Sequence, residues 1–166
     1  MFTLHAVRGQ SKVMETSGDI LLFSLPTASL VGTWVAQDKE GRWQFVKGFV
    51  FNQAVTLGMK YAINKPRPYG NGSYAFPSGH TSTTFQSTAF LQKRYGWSVG
   101  VPAYALATLT GVSRIAAHKH DGWDVLAGAL VGVASSYLFT TPKGRDLELV
   151  FSSDAQNVLL GLHYTF

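Results

Sequence analysis

Three stretches of this chain, residues 20–37, 96–113 and 125–142, each run for 18 residues without a charged side chain. They lack the strict polar–apolar alternation of a half-buried strand and are too long for one, so they are expected to be helices. At about 18 residues, each also reaches the length at which a helix becomes a candidate for crossing a bilayer. Two further segments lie between them: residues 43–63, which contain Lys47 and Lys60, and residues 78–92, rich in Ser and Thr rather than Leu. Small residues such as Gly111, Gly128, Ala129, Gly132 and Ser135 suit close helix packing. The chain is therefore expected to be all-α, a bundle of about five to six helices. One domain would span residues 1–166, with a helical core over about residues 18–141.

Composition narrows the surroundings. Only 14% of the 166 residues are charged and 46% are hydrophobic, which excludes a disordered or solvating chain. Mean hydropathy is +0.07, between a soluble enzyme and a bundle of lipid-facing helices. Cysteine is absent, so there is no disulfide framework, thiolate zinc site or cysteine nucleophile. The net charge of +5 is carried by cations spread singly. Nucleic acid is therefore not an expected partner; an anionic substrate and an anionic membrane surface are. Residues 1–17 show no continuous apolar region followed by a small-residue cleavage site, so no signal peptide is visible; the expectation is either a mature or trimmed form or a first apolar segment that doubles as a signal anchor. Residues 38–42 read as a short charged turn. From residue 143 to 166, Leu147 to Phe151 and then Val158, Leu160, Leu162, Tyr164 and Phe166 alternate with smaller or polar residues. This tail is expected to be a β-hairpin or edge strand turning at residues 152–156.

Three clusters concentrate the residues that carry chemistry. In the first, Lys60 closes a helical segment, and Arg67 sits between Pro66 and Pro68 in a Pro- and Gly-rich loop (residues 64–77) that also holds Lys65. Proline on both sides aims the guanidinium. The second is Pro77-Ser78-Gly79-His80. Ser78 is a natural N-cap, Gly79 allows another group to approach the backbone, and helix-start amides form a ready anion site beside His80. In the third, Ser113-Arg114 is followed by His120 and, four residues on, by Asp124. On a helix that spacing puts imidazole and carboxylate on one face, where the carboxylate fixes the tautomer. Taken singly, each has an ordinary explanation: a solvated Lys and Arg, a capped helix, a helix-start carboxylate.

Together they are not ordinary. If the segments run up and down, the second and fourth end where the third and fifth begin. Lys60, Arg67, Ser78, His80, Arg114, His120 and Asp124 then meet at one end, while Lys39, Arg42, Lys93, Arg94, Lys143 and Arg145 lie at the other. Many cations without a carboxylate cage suit a phosphate-like oxyanion held without metal. His118-x-His120 raises a metal alternative that lacks a third ligand at a plausible spacing.

The order Lys60-x6-Arg67-Pro68, Pro77-Ser78-Gly79-His80 and Ser113-Arg114-x5-His120-x3-Asp124 resembles the three-part signature of the type 2 phosphatidic acid phosphatase superfamily. That group includes membrane lipid phosphatases, soluble bacterial class A acid phosphatases and, more distantly, vanadium haloperoxidases. The resemblance implies a phosphatase without cofactor or metal. His120 would attack phosphorus, Asp124 would orient it, and His80 would protonate the leaving alkoxide. Lys60, Arg67, Arg114, Ser78 and the Gly79 amide would hold the phosphate oxygens. The expected substrate is a lipid phosphate or pyrophosphate, or another phosphomonoester. The expected place is the bacterial cell envelope, membrane-associated with the site facing the periplasm. A soluble periplasmic acid phosphatase with the same mechanism is the alternative; a haloperoxidase and a non-catalytic phosphate binder are weaker ones. Head-group choice would come from residues 69–76 and the N-terminal segment.

Overall fold

The structure, a computed structural model, describes the backbone of residues 2–70, 72–144, 147–154 and 157–164 and the side chains of residues 12–68 and 72–144. Five helices follow one another: α1 Phe2–Val35, α2 Lys39–Ile63, α3 Gly79–Tyr95, α4 Trp97–Ala116 and α5 Gly122–Phe139, with a short 3₁₀ turn, Pro68–Gly70, between α2 and α3. The all-α bundle matches the expectation from the uncharged runs.

Local signals set the helix ends. Asp38 caps α2 by accepting from the Gly41 amide (2.8 Å), and Asn64 closes that helix in the left-handed region (φ 45°). Ser78 caps α3, and Gly96, at φ 94°, allows α4 to begin one residue after α3 ends. Asp121 and Asp124 form a reciprocal capping box at the start of α5.

Three expectations need correction. Residues 39–42 are the first turn of α2 rather than a loop, because the Asp38 cap recruits them. α1 does not begin near residue 18 but runs from Phe2; nothing between residues 2 and 17 breaks a helix, and those residues continue the one that follows. The tail is a hairpin, β1 Leu147–Asp154 antiparallel to β2 Asn157–Tyr164, but Ser152 pairs with Leu159 and Asp154 with Asn157. The strands thus continue through the expected turn, leaving residues 155–156, which lie outside the described residues.

α3 is the axis of the bundle and packs against each of the other four helices, most extensively α5 and α4. Most of its buried side chains are polar: Thr81, Ser82, Thr84, Gln86, Ser87 and Thr88 have no measurable exposure, alongside buried Ala89 and Phe90. α5 rides close on it. A Cβ added at Gly128 would lie 2.6 Å from the Ser78 carbonyl oxygen, and one at Gly132 would meet the Ser82 carbonyl and lie 2.8 Å from the Gln86 amide nitrogen. Only glycine permits this approach. The outward faces carry the apolar bulk instead, including Phe23, Val35, Val101, Leu130 and Leu138. Exposed aromatics gather at the two ends, Trp34, Trp43 and Trp97 at one and Tyr61 and Trp123 at the other.

At the end with the three tryptophans, Arg94 forks onto buried Asp38 (Nε–Oδ2 2.7 Å, Nη2–Oδ1 2.6 Å), and the Tyr95 hydroxyl donates to the same carboxylate (3.0 Å). Arg94 pulls the Asp38 carboxyl down to about 2, against the opposing effect of burial. This clamp ties the α1–α2 turn to the end of α3.

Candidate active site

The ends of α2 and α4 and the starts of α3 and α5 meet at the opposite end of the bundle. There, a cavity of about 160 Å³ is lined by Arg67, His80, Arg114, Lys119 and His120, together with Glu15 and Asp19 from α1. Four of the residues expected from the sequence therefore face one space. Lys60, Ser78, Gly79 and Asp124 stand beside or behind it.

His120 sits in the loop between α4 and α5 and is 5% exposed. Its Nδ1 is 3.4 Å from Oδ2 of fully buried Asp124, an electrostatic contact without hydrogen-bond alignment, since Nδ1 has no hydrogen-bond partner. Burial, helped by the positive charge of Lys60 and partly countered by Asp124, pushes His120 down to about 4. With Nδ1 turned to Asp124, Nε2 is the ring nitrogen without that contact.

Asp124 is held from several sides. Its Oδ2 accepts from the Asp121 amide (3.1 Å), its Oδ1 from Lys65 Nζ (2.7 Å), and its carbonyl from the Ser78 amide (2.8 Å). The last bond ties the start of α3 to the first turn of α5. Lys65 also pairs with Asp121 Oδ2. Burial opposes the lysine's charge, but the two carboxylates outweigh it and hold Lys65 above its ordinary range; in turn Lys65 lowers Asp121.

Ser78 is buried and its Oγ accepts from the Thr81 hydroxyl (3.0 Å) and amide (3.4 Å). It therefore acts first as the cap, leaving the Gly79 and His80 amides at the start of α3 for an anion. Lys60 donates to the Tyr74 carbonyl (2.8 Å), and its Cε lies 3.6 Å from the Cβ position of Gly79. Arg67 is fixed through its backbone, its amide donating to Gly72 (2.7 Å). Arg114 is 3% exposed; Nε donates to Ser113 Oγ (3.1 Å), Nη1 to Asp19 Oδ1 (2.8 Å), and Nη2 to the Glu15 carbonyl. His80 Nε2 is 2.9 Å from the same Asp19 oxygen.

Sequence reasoning missed Asp19 and Glu15. The one available signal was the lone carboxylate immediately ahead of the first uncharged run. Among the described residues, no group of three or more His, Asp or Glu gathers as a metal site.

Comparisons with known proteins bear on the family and the fold. The PAP2 superfamily model matches residues 42–145. The chain is 33% identical over 156 residues to the lipid A 4'-phosphatase of Helicobacter pylori, covering 86% of this chain and 78% of that protein. It is 35% identical over 102 residues to the lipid A 1-phosphatase of Porphyromonas gingivalis, covering 54% of this chain and 23% of that longer protein. In structure it is similar to Aquifex aeolicus LpxE, with a TM-score of 0.69, 20% identity, and 78% and 84% of the two chains covered. A transmembrane PAP2-type phosphatidylglycerolphosphate phosphatase from Bacillus subtilis gives a TM-score of 0.65 at 22% identity, over 78% and 74%. With the motif residues gathered at one end of a matching bundle, the chain belongs to the PAP2 superfamily and is a phosphatase of that kind.

Proposed function

We propose that this phosphatase removes phosphate from a lipid at a membrane surface, without metal, through a phosphohistidine on His120. One observation carries the reading. A buried histidine beside a carboxylate, a second histidine and two arginines share one small cavity at the end of a bundle with apolar flanks.

The chemistry follows from the positions. His120 Nε2 attacks phosphorus as the ester P–O bond breaks, and the leaving oxygen takes a proton from His80. Positive charge developing on the imidazole is stabilised by Asp124, which Lys65 and the Asp121 amide hold in place. Arg67, Arg114, Lys60 and the first-turn amides of α3 meet the negative charge on the equatorial oxygens. Water then attacks phosphorus, the P–N bond breaks, His80 takes the water's proton, and inorganic phosphate leaves. Residues 1–166 would serve this chemistry as one domain.

The distribution of polarity supports the membrane. The interior is rich in Ser, Thr, Asn and Gln while Phe, Val, Leu and Trp face outward, the reverse of a water-soluble core. Aromatic side chains at both ends match the two interfaces of a bilayer. Residues 12–35 of α1 and the whole of α5 are long and apolar enough to cross. These flanks argue against the soluble acid phosphatase. The relatives' names favour a phosphorylated glycolipid of the lipid A class as substrate, in the bacterial envelope with the site facing the periplasm.

The test is phosphate release from lipid A and from p-nitrophenyl phosphate by detergent-solubilised protein in EDTA. Activity should persist there and vanish in His120→Ala. Loss of activity in EDTA, or a His120→Ala protein with normal rates, refutes the mechanism.

A further inference from the structure

Two carboxylates face a cavity built for an anion. Glu15 and Asp19, one helical turn apart on α1, line the same space as Arg67, Arg114, Lys119, His80 and His120. Their arrangements differ. The Glu15 carboxylate pairs with Lys119 at the rim (3.2 Å). Asp19 instead directs one oxygen, Oδ1, at both Arg114 Nη1 (2.8 Å) and His80 Nε2 (2.9 Å). A single oxygen held by the clamping arginine and the acid histidine is the contact that an ester oxygen of a bound phosphate would make.

We propose that Asp19 is a specificity-determining residue of this site: its carboxylate occupies the phosphate-oxygen position when the site is empty and competes there with substrate and inorganic phosphate. The inference rests on the phosphatase reading above.

Charge requires the exchange. A carboxylate and a phosphate dianion cannot share Arg114 and His80 at hydrogen-bond distance without strong repulsion. The helix itself is pinned, because Gly18 packs against the Ser113 and Arg114 side chains so closely that an added Cβ would collide with both. The side chain is not pinned: that of Asp19 is 49% exposed, whereas that of Arg114 is 3% exposed. A rotation about its side-chain bonds therefore frees the two donors without moving α1. The returning carboxylate then opposes retention of phosphate after turnover. No bond is made or broken in this step; one anion replaces another on the same donors.

The experiment titrates inorganic phosphate into detergent-solubilised wild type, Asp19→Asn, Asp19→Glu and Glu15→Gln by calorimetry, alongside phosphate inhibition of p-nitrophenyl phosphate hydrolysis. Asp19→Asn should bind phosphate on the order of tenfold more tightly, the worth of a displaced charge-assisted contact, and its KM should fall in parallel. Asp19→Glu should stay near wild type. Glu15→Gln should change affinity less than Asp19→Asn, because its charge lies in the same cavity but not on the two donors. Equal tightening in Asp19→Asn and Glu15→Gln would reduce the effect to the general field and overturn the proposal. Unchanged affinity in Asp19→Asn would also overturn it. Asp19→Ser is the second neutral variant; unfolding of both neutral variants would make the carboxylate a structural partner of Arg114 and likewise overturn it. A wild type that neither binds nor releases phosphate would instead refute the phosphatase reading.

Discussion

Replacing Gly128 by alanine adds one methyl group where α5 lies on the start of α3. The new Cβ would stand 2.6 Å from the Ser78 carbonyl oxygen and 3.2 Å from both the Ser82 amide nitrogen and Thr81 Cβ. Ordinary contact begins near 3.4 Å, so the helices must part by close to 0.8 Å. The obstruction is backbone and cannot rotate away. Overpacking of this kind costs about 1–3 kcal/mol. The displacement also acts at the site, because the Ser78 amide is bonded to the Asp124 carbonyl at 2.8 Å. Parting α3 from α5 there separates His80 and the helix-start amides from the His120–Asp124 pair. A misplacement of about 1 Å can cost roughly 100-fold in rate, so kcat/KM should fall by about 10- to 100-fold. Gly58→Ala is the control: that glycine is also helical, with nothing within 4 Å of the Cβ position. It should hold or gain stability by up to about 1 kcal/mol. The assay is p-nitrophenyl phosphate hydrolysis with thermal unfolding in detergent. A Gly128→Ala protein within twofold of wild type, with the same midpoint, would refute the close-packing argument.

Four further outcomes are expected. The His120 ring, held down to about 4, stays neutral in the folded protein between about pH 4 and 6.5 while the unfolded chain takes up a proton. Stability should therefore fall as pH drops through that window, by about 3 kcal/mol in all; thermal midpoints against pH should be flatter for His120→Gln. Arg94→Leu leaves buried Asp38 without its counter-ion and should cost about 3–5 kcal/mol in denaturant unfolding; wild-type stability would show that the clamp contributes little. Lys65→Met removes the cation between Asp121 and Asp124, making the site more favourable to a protonated His120. The acid limb of the pH–rate profile should then move up by roughly one unit. Since the chain has no cysteine, Ser73→Cys, at an exposed position between α2 and α3, gives a clean topology probe: an impermeant maleimide should label it from the periplasmic side in intact cells.

Most of the bundle was legible because its punctuation is local. Ser78 begins α3 as the cap its sequence suggests, and the uncharged runs mark α1, α4 and α5, whereas the Asp38 cap went unread and residues 38–42 passed for a turn. The convergence of Lys60, His80, Arg114 and His120 followed from an up-and-down path alone. Asp19 was hidden for the opposite reason. Its partners His80 and Arg114 are 61 and 95 residues away, and the close approach of Gly18 to Ser113 and Arg114 is something no periodicity records. The polar third segment gave no sign that it is the enclosed helix. Average hydropathy weighs side chains without regard to what they face, so a helix enclosed by four others reads like one facing water.

That enclosure bears on how the chain is assembled. Under the membrane reading, α1 and α5 are long and apolar enough to enter lipid on their own, whereas the buried face of α3 is largely Thr, Ser and Gln. In chain order it precedes α4 and α5, two of the four neighbours that shield it. α3 must therefore wait at the insertion machinery or the interface until α4 and α5 arrive, and then enter as the last element to be buried. The helix that presents Ser78, Gly79 and His80 would be the one whose placement depends on all the others. A chain truncated after α3 should leave that helix outside the bilayer, while one extended through α5 should draw it in.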